Sequence, residues 1–597
     1  MDKKYNIICL LLLFIVTACS NKEFNDGYIK YAPVEITSTE RKALLKKISD
    51  YEPDYDPKDR MIIQVLHGWN YHTDALTGTF HDTRRSLFYA VDLLDSRELQ
   101  YERRAIDIVD KVISLQDTDS ESPSCGVWPY FEEEPLATKK SPVDYNWADF
   151  NAVCLLDIYM GHKDRLMADL QEKIKKSLIL AARAVQKRDC EPGYTNIAIM
   201  GIYVTYMVSH LFDLPEMKEY AHEHLHTFYQ YTQEKKGFTE YNSPTYTIVA
   251  LDELNRMQRH IVEPEARKMI DELYEMGWEI IARHYHKPSG QWVGPNSRSY
   301  STLVDGTFYD ILKKASGGKI DLGCGKERAD VKTKHHIPEH LLPYFLNPEY
   351  PRTETDVFEN KEPQIMGYTY LTDKYVLSTA SRSSMWNQRR PLTAYWGTVQ
   401  KPHYLQVRFL HGFYDFSTVY MHTQQQQNKV LAVMNFGTDG GDKHITIGCI
   451  ENGKFKAKDL RLRFELGNCQ NTKVELPSHE NDVFALETDG IQIAIQLLEA
   501  QFGSWKGHWE LGQDEKNTWI DYVIYAGEEK VFDLLEINQA VYALALSVGS
   551  KADDVPIKGA ISTTAEGVLH ASWGELSVEV PVKPTNKPIK FVNQWYY

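Results

Sequence analysis

From about residue 40 to 314 apolar positions recur at helical spacing. Stretches that are apolar on nearly every side alternate with stretches that are apolar on one side and charged on the other. The first kind begins near Arg84 (RRSLFYAVDLL), Trp147 (WADFNAVCLLDIYM), Asn196 (NIAIMGIYVTYMVSHLF), Thr245 (TYTIVALDELNRM) and Ser301 (STLVDGTFYDIL). The second kind covers Glu98–Leu115, Arg165–Lys187, Met217–Gln233 and Pro264–His284. A helix that is apolar all round must be buried, whereas an amphipathic one covers a surface. Their alternation at intervals of about 50–60 residues predicts helical hairpins arranged as an (α/α) toroid, with buried inner and charged outer helices. An earlier pair around Thr39–Asp50 and Lys58–Trp69 would bring the count to five or six hairpins.

Past Lys314 the pattern changes. Ser316-Gly317-Gly318 and the Pro-rich stretch from Ile337 to Pro351 read as a linker over 316–363. From Gln364 onward, short runs alternate with a period of two: YVLSTAS, AYWGTV, YLQVRFL, KVLAVMNF, HITIGCI, LRLRFEL, IQIAIQLL, YALALSV and VLHASW. Turns such as GTDGGD and IENGKF separate several of them. Many strands without intervening helices predict a large antiparallel β-sandwich over 364–597. The expected fold class is therefore multidomain α+β, an N-terminal (α/α) toroid over 39–315 followed by that sandwich.

The N-terminus adds an address. Lys3 and Lys4 precede an apolar run from Ile7 to Val16, short of the roughly 20 residues that span a bilayer. The run ends in Thr17-Ala18-Cys19-Ser20, which resembles a bacterial lipobox. That resemblance implies a signal peptide over 1–18, lipidation of Cys19 and a tether over 19–38. The expected location is the cell envelope, anchored to the outer membrane on its periplasmic face or at the cell surface. The net charge is −16 and no basic stripe occurs, which argues against nucleic acid as a partner. An acidic polysaccharide or oligosaccharide would need a local positive site against that overall field. The eight cysteines include no Cys-x-x-Cys pair, so a cysteine metal site is not expected. Walker, Gly-x-Gly-x-x-Gly, His-Glu-x-x-His and Gly-x-Ser-x-Gly motifs are all absent.

Polar and aromatic residues gather where the inner helices begin. The five segments are His81-Asp82-Thr83-Arg84-Arg85, Tyr145-Asn146-Trp147-Ala148-Asp149, Tyr194-Thr195-Asn196, Glu240-Tyr241-Asn242-Ser243-Pro244-Thr245-Tyr246, and Asn296-Ser297-Arg298-Ser299-Tyr300. Thr83, Thr195 and Ser243 can cap their helices, and Pro244 suits a first helical position. Helix N-termini attract anions, so several of them facing one funnel favour a carboxylated sugar. Arg84, Arg85 or Arg298 would add full charge. A tyrosine in a first helical turn is expected to ionise more readily than usual.

This arrangement resembles the α/α-toroid polysaccharide lyases that carry a C-terminal β-sandwich, the heparinase-like and alginate-lyase-like families. In such lyases an Asn or His at one inner helix neutralises the uronate carboxylate, and a Tyr at the next hairpin transfers the proton. Asn196 and Tyr246 are similar to that pair. EYNSPTY, together with WNQRRPLTAYWG at Trp386–Gly397, resembles the rhamnose–glucuronate lyases that act on arabinogalactan. The resemblance implies β-elimination at a uronic acid, with no metal or other cofactor required. Catalytic roles fall to Tyr246, His81 and Asn196. Substrate contacts fall to Arg84, Arg85, Asn146, Trp147, Tyr241, Asn242, Arg298 and Tyr300. His403, His411 and His422 are all open as the sandwich histidine of such enzymes. Two alternatives stand beside this reading. One is a glycoside hydrolase using Asp149 and Glu240, with Asp252 also available. The other is a glycan-binding lipoprotein without catalysis.

Overall fold

A computed structural model of the chain describes residues 27–32, 34–68, 72–327, 330–438, 450, 452–470, 472–479, 481–550 and 557–586. The expected signal peptide and Cys19 lie outside the described residues, as does the tether up to residue 26. Ten helices carry the first domain: α1 (Ser38–Tyr51), α2 (Thr83–Asp95), α3 (Leu99–Ser114), α4 (Asn146–His162), α5 (Ala168–Arg188), α6 (Thr195–Leu211), α7 (Pro215–Lys235), α8 (Tyr246–His260), α9 (Pro264–Arg283) and α10 (Gly306–Ala315). Helices α2, α4, α6 and α8 stand side by side in that order, and α3, α5, α7 and α9 pack outside them.

Burial follows the hydrophobic pattern. Every residue of α6 from Thr195 to His210 is buried. Helix α5 buries one face, with Leu170, Ile174, Leu178, Ala181 and Val185 about one turn apart. The inner helices run in the same direction because each hairpin returns the chain through an outer helix. Their N-termini therefore share one end of the ring.

Two expected elements differ. The segment expected as a helix over Lys58–Trp69 forms a strand, Met61–His67, paired with Thr77–Asp82 and with Tyr55–Asp56. Its β-branched Ile62, Ile63 and Val65 favour the pleated conformation. The helix expected from Ser301 begins only at Gly306, where the Asp305 side chain accepts from the Thr307 N–H. The preceding loop is diverted to the sandwich: Asn296 pairs with Arg390 in a backbone bridge, and the Ser299 N–H donates to the Gln388 carbonyl at 2.6 Å.

The second domain is a sandwich of two antiparallel sheets. One runs His508–Gln513, Thr518–Asp533, Lys454–Gly467, Pro402–His411, Leu392–Gly397, Tyr375–Ala380, Ile365–Leu371 and Arg352–Glu359 in spatial order. The other runs Lys473–Val474, Val483–Thr488, Ile491–Phe502, Ala540–Gly549, Lys429–Phe436, Val419–Gln426 and Arg382–Ser384. Leu405, Val407, Phe409, Leu462 and Phe464 from the first meet Met434, Ile493, Ile495 and Leu544 from the second in one apolar core. The strand Arg352–Glu359 falls inside the stretch expected to be a linker, so the sandwich starts earlier than its alternating pattern.

Ion pairs join the domains. Arg283 at the end of α9 reaches Glu354 at 2.9 Å and Asp356 at 2.8 Å, and Lys235 reaches Glu359 at 2.7 Å. At the other end of the ring, Asp157 of α4 is buried between Arg256 and Arg259 of α8, with Lys332 at 3.3 Å. Burial works against its ionisation, but Arg256, Lys332 and Arg259 outweigh it and hold the carboxyl far below the usual range. Removing the acid takes the shared partner from three partly buried cations, of which Arg256 keeps Glu253 at 3.0 Å. Asp157→Ala is expected to lower stability by about 3–5 kcal/mol in urea unfolding. Because the folded pKa is depressed, the wild-type contribution is present above about pH 4 and lost as the pH falls further. The variant's deficit should therefore shrink in acid.

Candidate active site between the two domains

The start of α8 carries the densest group. The Tyr246 N–H donates to Ser243 Oγ at 2.9 Å, which fixes the first turn. The Tyr246 hydroxyl lies 2.7 Å from the hydroxyl of Tyr300. Tyr300 is 65% exposed, so the pair opens to solvent. The Arg298 guanidinium lies over the Tyr246 ring, 4.2 Å from its centroid. It is held there by Glu240 at 3.2 Å and by Gln388 of the sandwich, whose Oε1 accepts from Nε at 2.8 Å. Trp386, also of the sandwich, puts its ring 5.7 Å from the same guanidinium.

The group continues onto the neighbouring inner helices. Tyr194, which caps α6, contributes to the field at Arg298. Its hydroxyl accepts from Asn146 Nδ2 at 3.2 Å. Asn146 Oδ1 in turn accepts from Arg188 at 2.6 Å, and Arg188 lies 3.6 Å from Asp149. A polar band thus joins the starts of α4 and α6 and comes within electrostatic reach of Arg298 at the start of α8. Asn196, at the start of α6, turns a buried Oδ1 that has no hydrogen-bond partner among the described residues. Buried polar groups are normally paired, so this oxygen has capacity to spare.

Arg84 also belongs to the interior of the ring. Its guanidinium lies 3.6 Å from the centroid of Phe150 on α4 and 5.1 Å from that of Phe88. Burial lowers its pKa, with Cys154, Asp82 and Glu253 opposing. Trp147 is packed among His72, Tyr130 and Phe150, with the His72 ring centroid at 5.1 Å.

Other expected residues stand elsewhere. His81 lies on the strand Thr77–Asp82, its Nδ1 2.6 Å from Glu133 and its Nε2 3.5 Å from Asp56 and 3.7 Å from Asp59. Burial opposes its charge, but Glu133 and Asp56 outweigh it and raise the pKa. Its ligand atom lies within 4.8 Å of those of Asp56 and Asp59, a spacing that a metal ion can bridge. Arg85 turns outward to Asp54 and the Ile63 carbonyl. Tyr241 stacks on Phe358 of the sandwich at 3.8 Å. The Asn242 amide is spent on Val293, Pro295 and Trp292. His411 bonds the Lys456 carbonyl, His422 faces Asn435, and His403 faces Cys469 and Asp489. Asp82 rather than Thr83 caps α2, and Thr83 donates instead to the Pro129 carbonyl.

The electrostatics correct one expectation. Burial pushes the Tyr246 hydroxyl well above the ordinary phenol range; the Arg298 cation pulls it down and Tyr300 pushes it up. The helix N-terminus does not overcome that desolvation, so Tyr246 rests protonated. Burial likewise raises Glu240 to about 7 against Arg298, and Asp149 to about 7 against Arg188. Both carboxyls are only 1% exposed.

Arg188, Tyr300 as partner of Tyr246, and Gln388 complete the site in ways the sequence conceals. Arg188 ends a charged outer helix and has the pattern of a solvated residue.

A family described as "Domain of unknown function (DUF8769)" matches residues 56–341. No curated protein matches the sequence significantly. Among solved structures, the chain is similar to a heparan sulfate lyase, HepC, from Pedobacter heparinus at 10% identity. That alignment covers 92% of this chain and 90% of the other, with a TM-score of 0.38. It is also similar to a Streptomyces coelicolor chondroitin AC lyase in complex with chondroitin sulphate, at 10% identity. Here 91% of this chain and 84% of the other are covered, with a TM-score of 0.47.

Proposed function

We propose that the protein is a polysaccharide lyase that cleaves a uronic-acid-containing glycan by β-elimination. The observation that carries this reading is the Tyr246–Tyr300 hydroxyl pair beneath the Arg298 guanidinium, in an open site between toroid and sandwich. Elimination requires the C5 proton to be acidified by neutralising the neighbouring carboxylate, then removed, while O4 is protonated as it leaves. Arg298 and the helix N-termini receive the carboxylate, and the spare Asn196 Oδ1 accepts from a sugar hydroxyl. The tyrosine pair gives up one proton to solvent, and the resulting phenolate, shared between two oxygens beside a cation, takes the proton from C5. The same pair returns a proton to O4. Arg84, deeper in the ring, draws the acidic sugar inward.

Because Tyr246 rests protonated, its base form grows with pH. The value of kcat/KM is expected to rise about tenfold per pH unit from neutral into the alkaline range. A flat profile between pH 7 and 9 would assign the base to another group.

Hydrolysis at Asp149 and Glu240 fits less well, because a glycosidic bond must reach both carboxyls and neither is open. Within the lyase class, we take a rhamnose-capped glucuronate as the substrate, on the segments EYNSPTY and WNQRRPLTAYWG that build this site. The lipobox-like Thr17-Ala18-Cys19 supports a cell-envelope location on a lipid anchor. The test is incubation of purified protein with rhamnose-capped glucuronate oligosaccharides. Release of rhamnose together with the ultraviolet absorbance of a C4–C5 unsaturated uronate is expected. Reducing ends without that absorbance would mean hydrolysis.

A further inference from the structure

A cavity of about 500 Å³ in the sandwich lies away from the tyrosine pair, beside the turn that joins Val483–Thr488 to Ile491–Phe502. Cys469, Thr488, Asp489, Lys401 and Lys473 are among its lining residues. Three of its neighbours form a chemical series. Cys469 Sγ lies 3.3 Å from Nδ1 of His403, and Nε2 of His403 lies 2.9 Å from Oδ2 of Asp489.

The three come from separate parts of the sandwich. His403 stands on the strand Pro402–His411, opposite Trp396 of the next strand, and its ring stacks on the Trp396 indole at 5.7 Å. Cys469 follows the strand Lys454–Gly467, just past Asn468, whose positive φ of 58° turns the chain. Asp489 sits in the Asp489-Gly490 hairpin turn of the opposite sheet, with φ of 45° and 84°. Asp-Gly is the residue pair such a turn favours. Two sheets therefore bring a thiol, an imidazole and a carboxylate into line, with the thiol and the carboxylate at the wall of one cavity and the imidazole buried between them.

The order matches the logic of a nucleophile, a base and a group that orients the base. In the tautomer whose Nε2–H donates to Asp489, the Nδ1 lone pair faces the thiol, whose Sγ also lies 3.4 Å from the Gly467 carbonyl. Cys469 is 2% exposed, and that edge meets the cavity. Burial pushes the thiol up to about 11, and burial also lowers His403. The resting pair is thus neutral, and the thiol proton moves only when an electrophile is in place.

We propose that Cys469, His403 and Asp489 form a second, thiol-dependent site in the sandwich that hydrolyses small carboxylic esters. Cys469 Sγ attacks the ester carbonyl carbon while His403 Nδ1 takes the thiol proton. The carbon–oxygen bond to the alcohol breaks, and His403 hands that proton to the departing alkoxide. A water, deprotonated by His403, then cleaves the thioester. The carboxylic acid is released and the thiol regained. The balance is ester plus water giving acid plus alcohol, with no further reactant. Lys401 Nζ lies 3.3 Å from Asp489 Oδ2 at the cavity rim.

The test uses the full-length protein and 4-nitrophenyl acetate as probe. A burst of nitrophenolate equal to the protein present is expected, with an acetyl group on the tryptic peptide that contains Cys469. Asp489→Asn should slow the burst by about 100-fold or more. Cys469→Ala and His403→Ala should abolish it. Cys469→Ser, which keeps the packing volume, should also lose the burst while its thermal unfolding midpoint stays close to that of the wild type. Acetylation confined to lysines, or an undiminished burst from the Cys469→Ala or Cys469→Ser protein, would overturn the proposal. None of these readouts depends on uronate elimination, so the two functional readings stand or fall separately.

Discussion

Tyr246→Phe is expected to lower kcat for uronate elimination by about 1,000-fold and to leave KM within about twofold. The substitution removes one oxygen and nothing else. The phenyl ring still fills its place beneath Arg298, and the helix start is still held by Ser243, because that bond uses the Tyr246 backbone. What disappears is the hydroxyl that shares a proton with Tyr300 at 2.7 Å. A loss in kcat alone identifies a group needed in the transition state and not for binding. Tyr300→Phe should cost less, because the remaining phenol keeps its place beside the cation.

Arg298→Ala is expected to lower kcat/KM by about 100-fold or more. Two losses combine. The substrate carboxylate loses its cation, and the phenolate form of the tyrosine pair loses the charge over the Tyr246 ring. Burial works against the Arg298 cation, yet Tyr246 and Glu240 outweigh it and keep its pKa above the ordinary range. The partner substitution separates positioning from chemistry. Glu240→Gln should cost only about tenfold, because Gln388 and the Tyr246 ring still hold the guanidinium in place. If Glu240 were instead a hydrolytic acid, Glu240→Gln would be as damaging as Arg298→Ala. Steady-state kinetics on the three proteins distinguish these outcomes.

The helical half of the fold was readable because its two kinds of helix differ in composition all the way round. The expected outer helices Glu98–Leu115 and Pro264–His284 correspond closely to α3 and α9. The run Met61–His67 is too short for its period to separate helix from strand, and its partner Thr77–Asp82 lies further along the chain. Ser301 looked like a helix start because the sequence does not show that the sandwich takes the loop's backbone hydrogen bonds. The band at the start of α4, α6 and α8 was visible as polar residues in places where apolar ones would pack. Its connections were not. Arg188 comes from the far end of an outer helix, and Gln388 from a strand connection ninety positions after the arginine it holds. His81 illustrates the opposite error. It shares a segment with Arg84, but strand geometry turns it toward Asp56, Asp59 and Glu133. The acidity of Tyr246 is set by burial, which outweighs the helix terminus and is not visible in the sequence.

The most direct measurement is the absorbance of unsaturated uronate, followed side by side with wild-type protein and Tyr246→Phe on glucuronate-containing oligosaccharides. A steady rise is expected for the wild type and almost none for the variant, with both proteins equally folded and both binding the substrate. An equal rise from the two proteins would show that elimination proceeds without this hydroxyl, and the assignment of the site to the tyrosine pair would be wrong.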